Sequence, residues 1–192
     1  MLFRSKSANG SGLAYDSSGQ IFSALGLDGV DDYLSVAHAA NLTELPLTIS
    51  MWIKTSNSSY QSLANKYVDG SNNGWFLYQT GGRICLAYYG SYSDNISSST
   101  DCASTPTVND SNWHLVIAVI SATGANLYLD GTLSRTLSWI GTPGNATTTT
   151  QLEVGRYNYG SGNRYFSGSM DEVAIWNAAL TSNEVMQIFT KQ

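Results

Sequence analysis

The feature that most constrains this chain is a polarity that reverses at every residue, in segment after segment, with little that repeats every third or fourth. In Leu47-Thr48-Ile49-Ser50-Met51-Trp52-Ile53-Lys54, the side chains of Leu47, Ile49, Met51 and Ile53 fall on one side and Thr48, Ser50, Trp52 and Lys54 on the other. That period of two is the mark of a strand with one face in a core. Residues 75–79 and 83–89 read as two more strands around a turn at Gly81-Gly82. Residues 113–120 are apolar on both faces and read as a central strand between layers. Trp113, Leu115, Ile117 and Val119 are expected between the sheets, with His114 structural on the opposite face beside Val116 and Ala118. Asp130-Gly131 is a hairpin signal between strands at 125–130 and 133–139. Further strands are expected at 151–157 and 170–176.

One helix stands out. Thr181-Ser182-Asn183-Glu184 forms a capping box, followed by an apolar face of Val185, Ile188 and Phe189. Short strands punctuated by turns, with a single helix at the end, predict an all-β, two-sheet antiparallel sandwich. At 192 residues the chain is long enough for one such core. No linker divides it. Residues 1–26 read as a polar N-terminal arm with the first strand region, part of the same unit, and 27–192 as the sandwich.

Only 12% of the residues are charged and the net charge is -5, so no basic stripe exists for a phosphate backbone and nucleic acid is not an expected partner. No apolar run approaches the roughly 20 residues that span a bilayer, so no membrane insertion is expected. The start, Met1-Leu2-Phe3-Arg4-Ser5-Lys6-Ser7, meets charge before any hydrophobic stretch builds, unlike a secretory signal. Cys85 and Cys102 flank a Gly/Ser/Asn-rich stretch. If it turns near residues 92–94, the two face each other across an antiparallel pair and can bond; the alternative is two half-buried free thiols. Neither has a second Cys or a His at metal-ligand spacing.

Glycosidases of the retaining type use two carboxylates roughly 5–5.5 Å apart, which on a strand means acids at i and i+2. The four glutamates, Glu44, Glu153, Glu172 and Glu184, have no acidic residue two positions away. Asp31-Asp32 and Asp171-Glu172 are adjacent pairs whose side chains diverge on a strand. No catalytic residue is assigned, and the chain is not expected to be an enzyme.

Five segments occur in an order and spacing that resembles the laminin-G-like branch of the concanavalin A-like lectin/glucanase superfamily, which includes pentraxin-like jelly rolls. They are Leu27-Asp28-Gly29-Val30-Asp31-Asp32-Tyr33-Leu34, Leu47–Lys54, Trp113-His114-Leu115-Val116, Leu127-Tyr128-Leu129-Asp130-Gly131, and the run from Phe166 to Leu180 containing Met170-Asp171-Glu172-Val173. The resemblance implies a jelly roll of two curved sheets, with ligands at a concave face or loop rim. It also implies a structural Ca²⁺ between an N-terminal loop and a late-strand aspartate. Asp28 and Asp171 match those places, although each also suits a plain turn or loop cap.

Sugars are held by aromatic faces and planar polar groups, and two loops have that mix. Arg156, Tyr157, Asn158, Tyr159 and Arg164 lie in a Gly-rich segment, and Tyr88 and Tyr92 lie in the stretch between the cysteines. Trp52, on the outer face of its strand, is a candidate floor for a groove. The same Tyr/Gly/Ser/Asn composition also suits protein–protein contacts. Two functions follow. One is a non-catalytic, lectin-like attachment module binding surface glycan or polysaccharide, extracellular or at a virion surface. The other is a structural protein of a phage or other virus particle, with virion proteins or further copies of itself as partners. Met1, the absence of a secretory signal and the single compact unit favour a particle for either.

Overall fold

The computed structural model describes residues 8–9, 14–16, 19–20, 23–97, 102–103, 106–160 and 162–191. Its strands are β1 (Ala8–Asn9), β2 (Ala14–Asp16), β3 (Ala24–Asp28), β4 (Tyr33–Val36), β5 (Leu47–Lys54), β6 (Gln61–Tyr67), β7 (Gly74–Thr80), β8 (Arg83–Tyr89) and β9 (Asn95–Ser97). They continue as β10 (Trp113–Ser121), β11 (Gly124–Leu129), β12 (Thr132–Leu137), β13 (Leu152–Val154), β14 (Arg156–Tyr159), β15 (Gly162–Tyr165) and β16 (Ser167–Trp176), ahead of one helix, α1 (Ser182–Lys191). Two antiparallel sheets of seven strands face each other, in the orders β1-β4-β13-β6-β7-β8-β9 and β12-β11-β10-β5-β16-β3-β2, and β14–β15 is a separate hairpin. This is the expected all-β jelly-roll sandwich. The described parts of 1–26 supply an edge strand to each sheet, β1 on β4 and β2 on β3; the rest of that arm lies outside the described residues.

Alternation decides what the core contains. β5 sends Leu47, Ile49, Met51 and Ile53 inward, all fully buried, as its period-two pattern demands. From the facing sheet come Trp75, Leu77, Leu86 and Tyr88. Trp75 keeps its indole N–H satisfied by donating to the Leu42 carbonyl at 2.7 Å, as a buried Trp must. β10 corrects one expectation. Val116, Ala118 and Ile120 point into the core between the sheets, whereas Leu115, Ile117 and Val119 point outward with Trp52 and Tyr128. They are buried all the same, because α1 lies over them with Val185, Ile188 and Phe189. A strand apolar on both faces cannot say which face meets the sheet and which meets a helix.

Turns follow their residue types. Asp130 and Gly131 have φ of 49° and 77°, the two left-handed residues of a type I′ hairpin. The capping box of α1 is reciprocal: Glu184 N–H donates to Thr181 Oγ1 at 3.3 Å, and Thr181 N–H to Glu184 Oε2 at 2.8 Å. The single strand expected at 151–157 is two, because Gly155 (φ 82°) breaks it between β13 and β14. β6, with few β-branched residues, has no strong strand signal, yet it occupies the centre of its sheet.

His114 pins the loop before β10 to the β10–β11 end. Its Nδ1 is 2.8 Å from Asp130 Oδ2 and its Nε2 is 3.1 Å from Asp110 Oδ1. The bond with Asp130 outweighs burial and raises its pKa above the ordinary 6.5. Asn112, with help from His114, holds the Asp110 carboxyl at about 2, below 3.8. A raised histidine stabilises fully below pH 6.5 and loses its effect as pH climbs through the raised value. A depressed aspartate stabilises fully above 3.8 and loses its effect as pH falls through about 2. The melting temperature is therefore expected to be highest between about pH 4 and 6 and to decline on the alkaline side. His114→Gln should flatten that alkaline decline in a series of thermal melts; an unchanged slope would separate it from this histidine.

Candidate functional site

The two sheets differ on their outer faces. α1 covers one of them, and Trp52, expected to floor a groove, is 3% exposed there, its ring stacked 5.8 Å from Phe189. Trp52 is part of a small second core. The outer face of the other sheet carries the aromatic rings instead.

That face is built by register. β6, β7 and β8 pair so that Asn65, Phe76 and Ala87 form one cross-strand line, Ser62, Tyr78 and Cys85 a second, and Tyr67, Gly74 and Tyr89 a third. With Trp75, Leu77, Leu86 and Tyr88 turned inward, the intervening residues must turn out. A ladder of six rings results. Tyr60 stacks on Tyr78 at 4.6 Å and Tyr78 on Phe76 at 5.4 Å. Tyr67 lies 5.0 Å from Phe76 and 5.5 Å from Tyr89. Tyr157 lies parallel to Phe76, at 5.6 Å and 4°. Gly74, with φ 122°, sits between Tyr67 and Tyr89; a Cβ there would meet the Lys66 carbonyl at 2.1 Å. Only glycine fits there, because a side chain would strike the backbone of β6.

The ladder has a wall on one side. The β14–β15 hairpin leans over β6, with Arg156 O accepting from Asn65 Nδ2 and the Arg156 guanidinium gripping Glu153, its Nε donating to Oε2 at 3.0 Å. Arg156 also lies 3.6 Å from the Tyr33 ring centre, and Arg164 5.4 Å from that of Tyr60, cation–π geometry in both cases. Asp69, in the β6–β7 turn, accepts from the Tyr157 hydroxyl at 3.0 Å and from Gly160 N–H at 3.3 Å. Burial, then the neighbouring Asp69, push the Tyr157 phenol upward; burial likewise raises Tyr67 and Tyr78. All three stay neutral hydroxyls at physiological pH. On the β8 side, Cys85 is bonded to Cys102, and Ala103 pairs with Ile84. The expected disulfide is present and straps the chain beside the ladder.

The named sugar contacts fare unevenly. Tyr88 is 0% exposed and points into the core, donating to Thr43 O at 2.5 Å and accepting from Ala146 N–H at 2.9 Å; burial pushes it up to about 12. Its neighbour Tyr89 faces the ladder, so the expectation is one residue out of phase. Tyr157 is 3% exposed and fills the hairpin's underside. Tyr92 is 79% exposed at the β8–β9 turn, away from the ladder lines. Arg156, Asn158 and Arg164 lie on the hairpin; the side chain of Tyr159 lies outside the described residues. Sequence reasoning misses Tyr60, Tyr67, Phe76, Tyr78 and Tyr89, although aromatics alternating with core residues in 75–79 carry the signal.

The metal expectation also changes. Asp28 pairs with Ser167, and Met170 with Leu25, which puts Asp171 about four residues, or ~13 Å, farther along the ladder. They cannot share one ion. Asp171 Oδ1 instead accepts from Glu172 N–H at 2.8 Å, at a bulge where Glu172 has φ 46°. A better donor set surrounds Asp28. Carboxylate oxygens of Asp28, Asp31 and Asp32 lie within 4.8 Å of one another. Asp32 is 1% exposed, and its Oδ1 has no hydrogen-bond partner. Three like charges around a buried, unsatisfied oxygen suit a hard cation such as Ca²⁺.

Two outcomes follow. Trp52→Ala should destabilise by about 3–5 kcal/mol in denaturant melts, while leaving any ligand bound at the ladder unaffected. If Ca²⁺ sits at the triad, a hundred-fold excess over Kd adds about 2.7 kcal/mol, roughly 5–10 °C in melting temperature. Asp32→Asn should abolish that shift and Asp171→Ala should keep it; the reverse pattern in melts with and without chelator would refute the triad.

No helix among the described residues is long and apolar enough to cross a membrane. No curated protein matches the sequence. Several solved structures share its fold. Domain 4 of AbnA, a GH43 extracellular arabinanase from Geobacillus stearothermophilus in complex with arabinotriose, aligns with TM-score 0.66 at 17% identity, over 93% of this chain and 82% of that one. The CBM40 of the Ruminococcus gnavus IT-sialidase bound to α2,3-sialyllactose aligns with TM-score 0.60 at 14% identity, over 82% and 97%. The receptor-binding domain of botulinum neurotoxin C/D mosaic serotype gives 0.66 at 15%, over 97% of this chain but only 46% of that one. The family profile of laminin-G-like domains described as the concanavalin A-like lectin/glucanases superfamily matches residues 28–186, and with most of its length inside that match the chain belongs to this superfamily.

Proposed function

We propose that this protein is a non-catalytic, lectin-like carbohydrate-binding module that receives its glycan along the aromatic ladder between the β14–β15 hairpin and the Cys85–Cys102 strap. The observation that carries the reading is the ladder itself: six rings on a sheet face that no helix among the described residues covers. Monomers rarely leave aromatic surface on a sheet without a use for it. Stacking at 4.6–5.6 Å in the Tyr60–Tyr78–Phe76–Tyr157 part of the row, near-parallel for Phe76 and Tyr157, means that these rings partly cover one another's faces. Partly exposed phenols at Tyr60, Tyr67 and Tyr89, donor and acceptor at once, are then offered to the ligand, which suits a hydroxyl-rich chain. The carbohydrate-bound structures of similar fold support the same ligand class.

Catalysis is not part of the proposal. The carboxylates bordering the ladder are engaged, Glu153 by Arg156 and Asp69 by Tyr157 and Gly160, which leaves no acid–nucleophile pair on this face among the described residues. The disulfide fits an extracellular or otherwise oxidising setting, and display on a larger assembly such as a phage particle is the context we infer for such a module.

Binding to a panel of oligosaccharides and polysaccharides, arabinotriose and α2,3-sialyllactose among them, should identify a ligand with no new reducing ends and no unsaturated product. Tyr89→Ala should weaken that binding roughly tenfold with an unchanged melting temperature. Turnover by the pure protein, or full affinity in the variant, would refute the proposal.

A further inference from the structure

Resting on that reading, we propose that the face of Phe76 now covered by Tyr157 is a sugar-stacking subsite, and that the β14–β15 hairpin swings away to admit the ligand's ring. Tyr157 lies parallel to Phe76 within 4°, with centroids 5.6 Å apart, the offset geometry a sugar's apolar face would adopt. Within the row, this is the ring whose place depends on the hairpin and not on a sheet. Every other member sits on β6, β7, β8 or directly before β6.

The hairpin is built to move at one end. Its base is fixed by backbone bonds, Gly155 N–H to Leu63 O at 2.9 Å and Phe166 N–H to Gly155 O at 2.8 Å, and by Asn65 and Glu153 on Arg156. Its two strands pair with each other and with neither seven-stranded sheet. Beyond Arg156 no sheet pairing among the described residues holds the hairpin, and side-chain contacts do so instead. Asp69 takes the Tyr157 hydroxyl and the Gly160 N–H, and Arg164 lies over Tyr60. Asp69 is thus the latch, and Tyr157 holds the subsite's place in the free protein. Such an arrangement lowers apparent affinity by the fraction of time the hairpin stays closed. It also keeps an aromatic face from water until a ligand arrives.

The test needs three variants beside the wild type. Asp69→Asn removes the charge of the latch, so the Gly160 amide should exchange about tenfold faster and ligand affinity should rise. Tyr157→Ala uncovers Phe76 and should tighten binding several-fold, whereas the same variant would bind more weakly if the Tyr157 ring itself held the sugar. A Cβ at Gly160 would lie 3.2 Å from Asp69 Oδ2, so Asp69→Cys with Gly160→Cys puts a thiol on each side of the latch, and the cross-link is verified by mass before binding is read. Oxidised, this protein should lose at least tenfold in affinity for arabinotriose, α2,3-sialyllactose or whichever panel sugar binds wild type. Binding that survives the cross-link, or weakens in Tyr157→Ala, overturns the subsite and leaves the glycan reading standing. Absence of sugar binding in every variant overturns both.

Discussion

Trp75, Leu77, Leu86 and Tyr88 share one buried cluster with Ile49, Met51, Val116 and Ile120 of the facing sheet, and that packing is what the rest of the molecule depends on. Successive side chains on a strand leave opposite faces. Once these residues are inside, Phe76, Tyr78 and Tyr89 have nowhere to go but outward. The ring-bearing face is thus the mirror of the core, and a one-residue slip in β7 or β8 would exchange the two. The inward set excludes that slip, since it would turn Trp75 and Leu77 out to the surface and bring Phe76 and Tyr78 into the core.

The outer faces are treated differently because only one of them has a helix as partner. Leu115, Ile117, Val119, Trp52 and Tyr128 are covered by Val185, Ile188 and Phe189 of a ten-residue helix. A helix this short is marginal alone; its capping box and its apolar face against the sheet hold it. The other outer face has the hairpin along one side, which buries Tyr157 and leaves Tyr60, Tyr67, Phe76 and Tyr89 partly exposed.

With so few charges, the carboxylates act mainly as fasteners for loops. Asp94 accepts from Thr142 N–H at 2.8 Å and from Ser91 Oγ at 2.7 Å, and these bonds hold it below its ordinary pKa. Asp130 and Asp110 clamp His114, Asp28 nucleates the turn after β3, and Asp69 latches the hairpin. Among the described residues, Lys66 is the cation drawn fully inside, its Nζ beside the Thr148 and Thr150 carbonyls and 2.8 Å from His38 Nδ1. Burial lowers it to about 8.

Local signals in the sequence determined the sheet content, the inward face of β5, the Asp130-Gly131 hairpin, the capped terminal helix and the Cys85–Cys102 bond, because each rests on a period, a turn residue or a short loop. The family resemblance carried the jelly roll. Tertiary structure alone decided which face of β10 meets the core, since both are apolar. It decided that Tyr89 and not Tyr88 is available, because phase along β8 is set by its partner Trp75. It buried Trp52 under a helix more than a hundred residues away, and it moved the acidic site from an Asp28–Asp171 pair to the Asp28–Asp31–Asp32 triad, because strand register separates the first pair by several residues. A site made of outward side chains from three paired strands and a distant hairpin exists only once the register does.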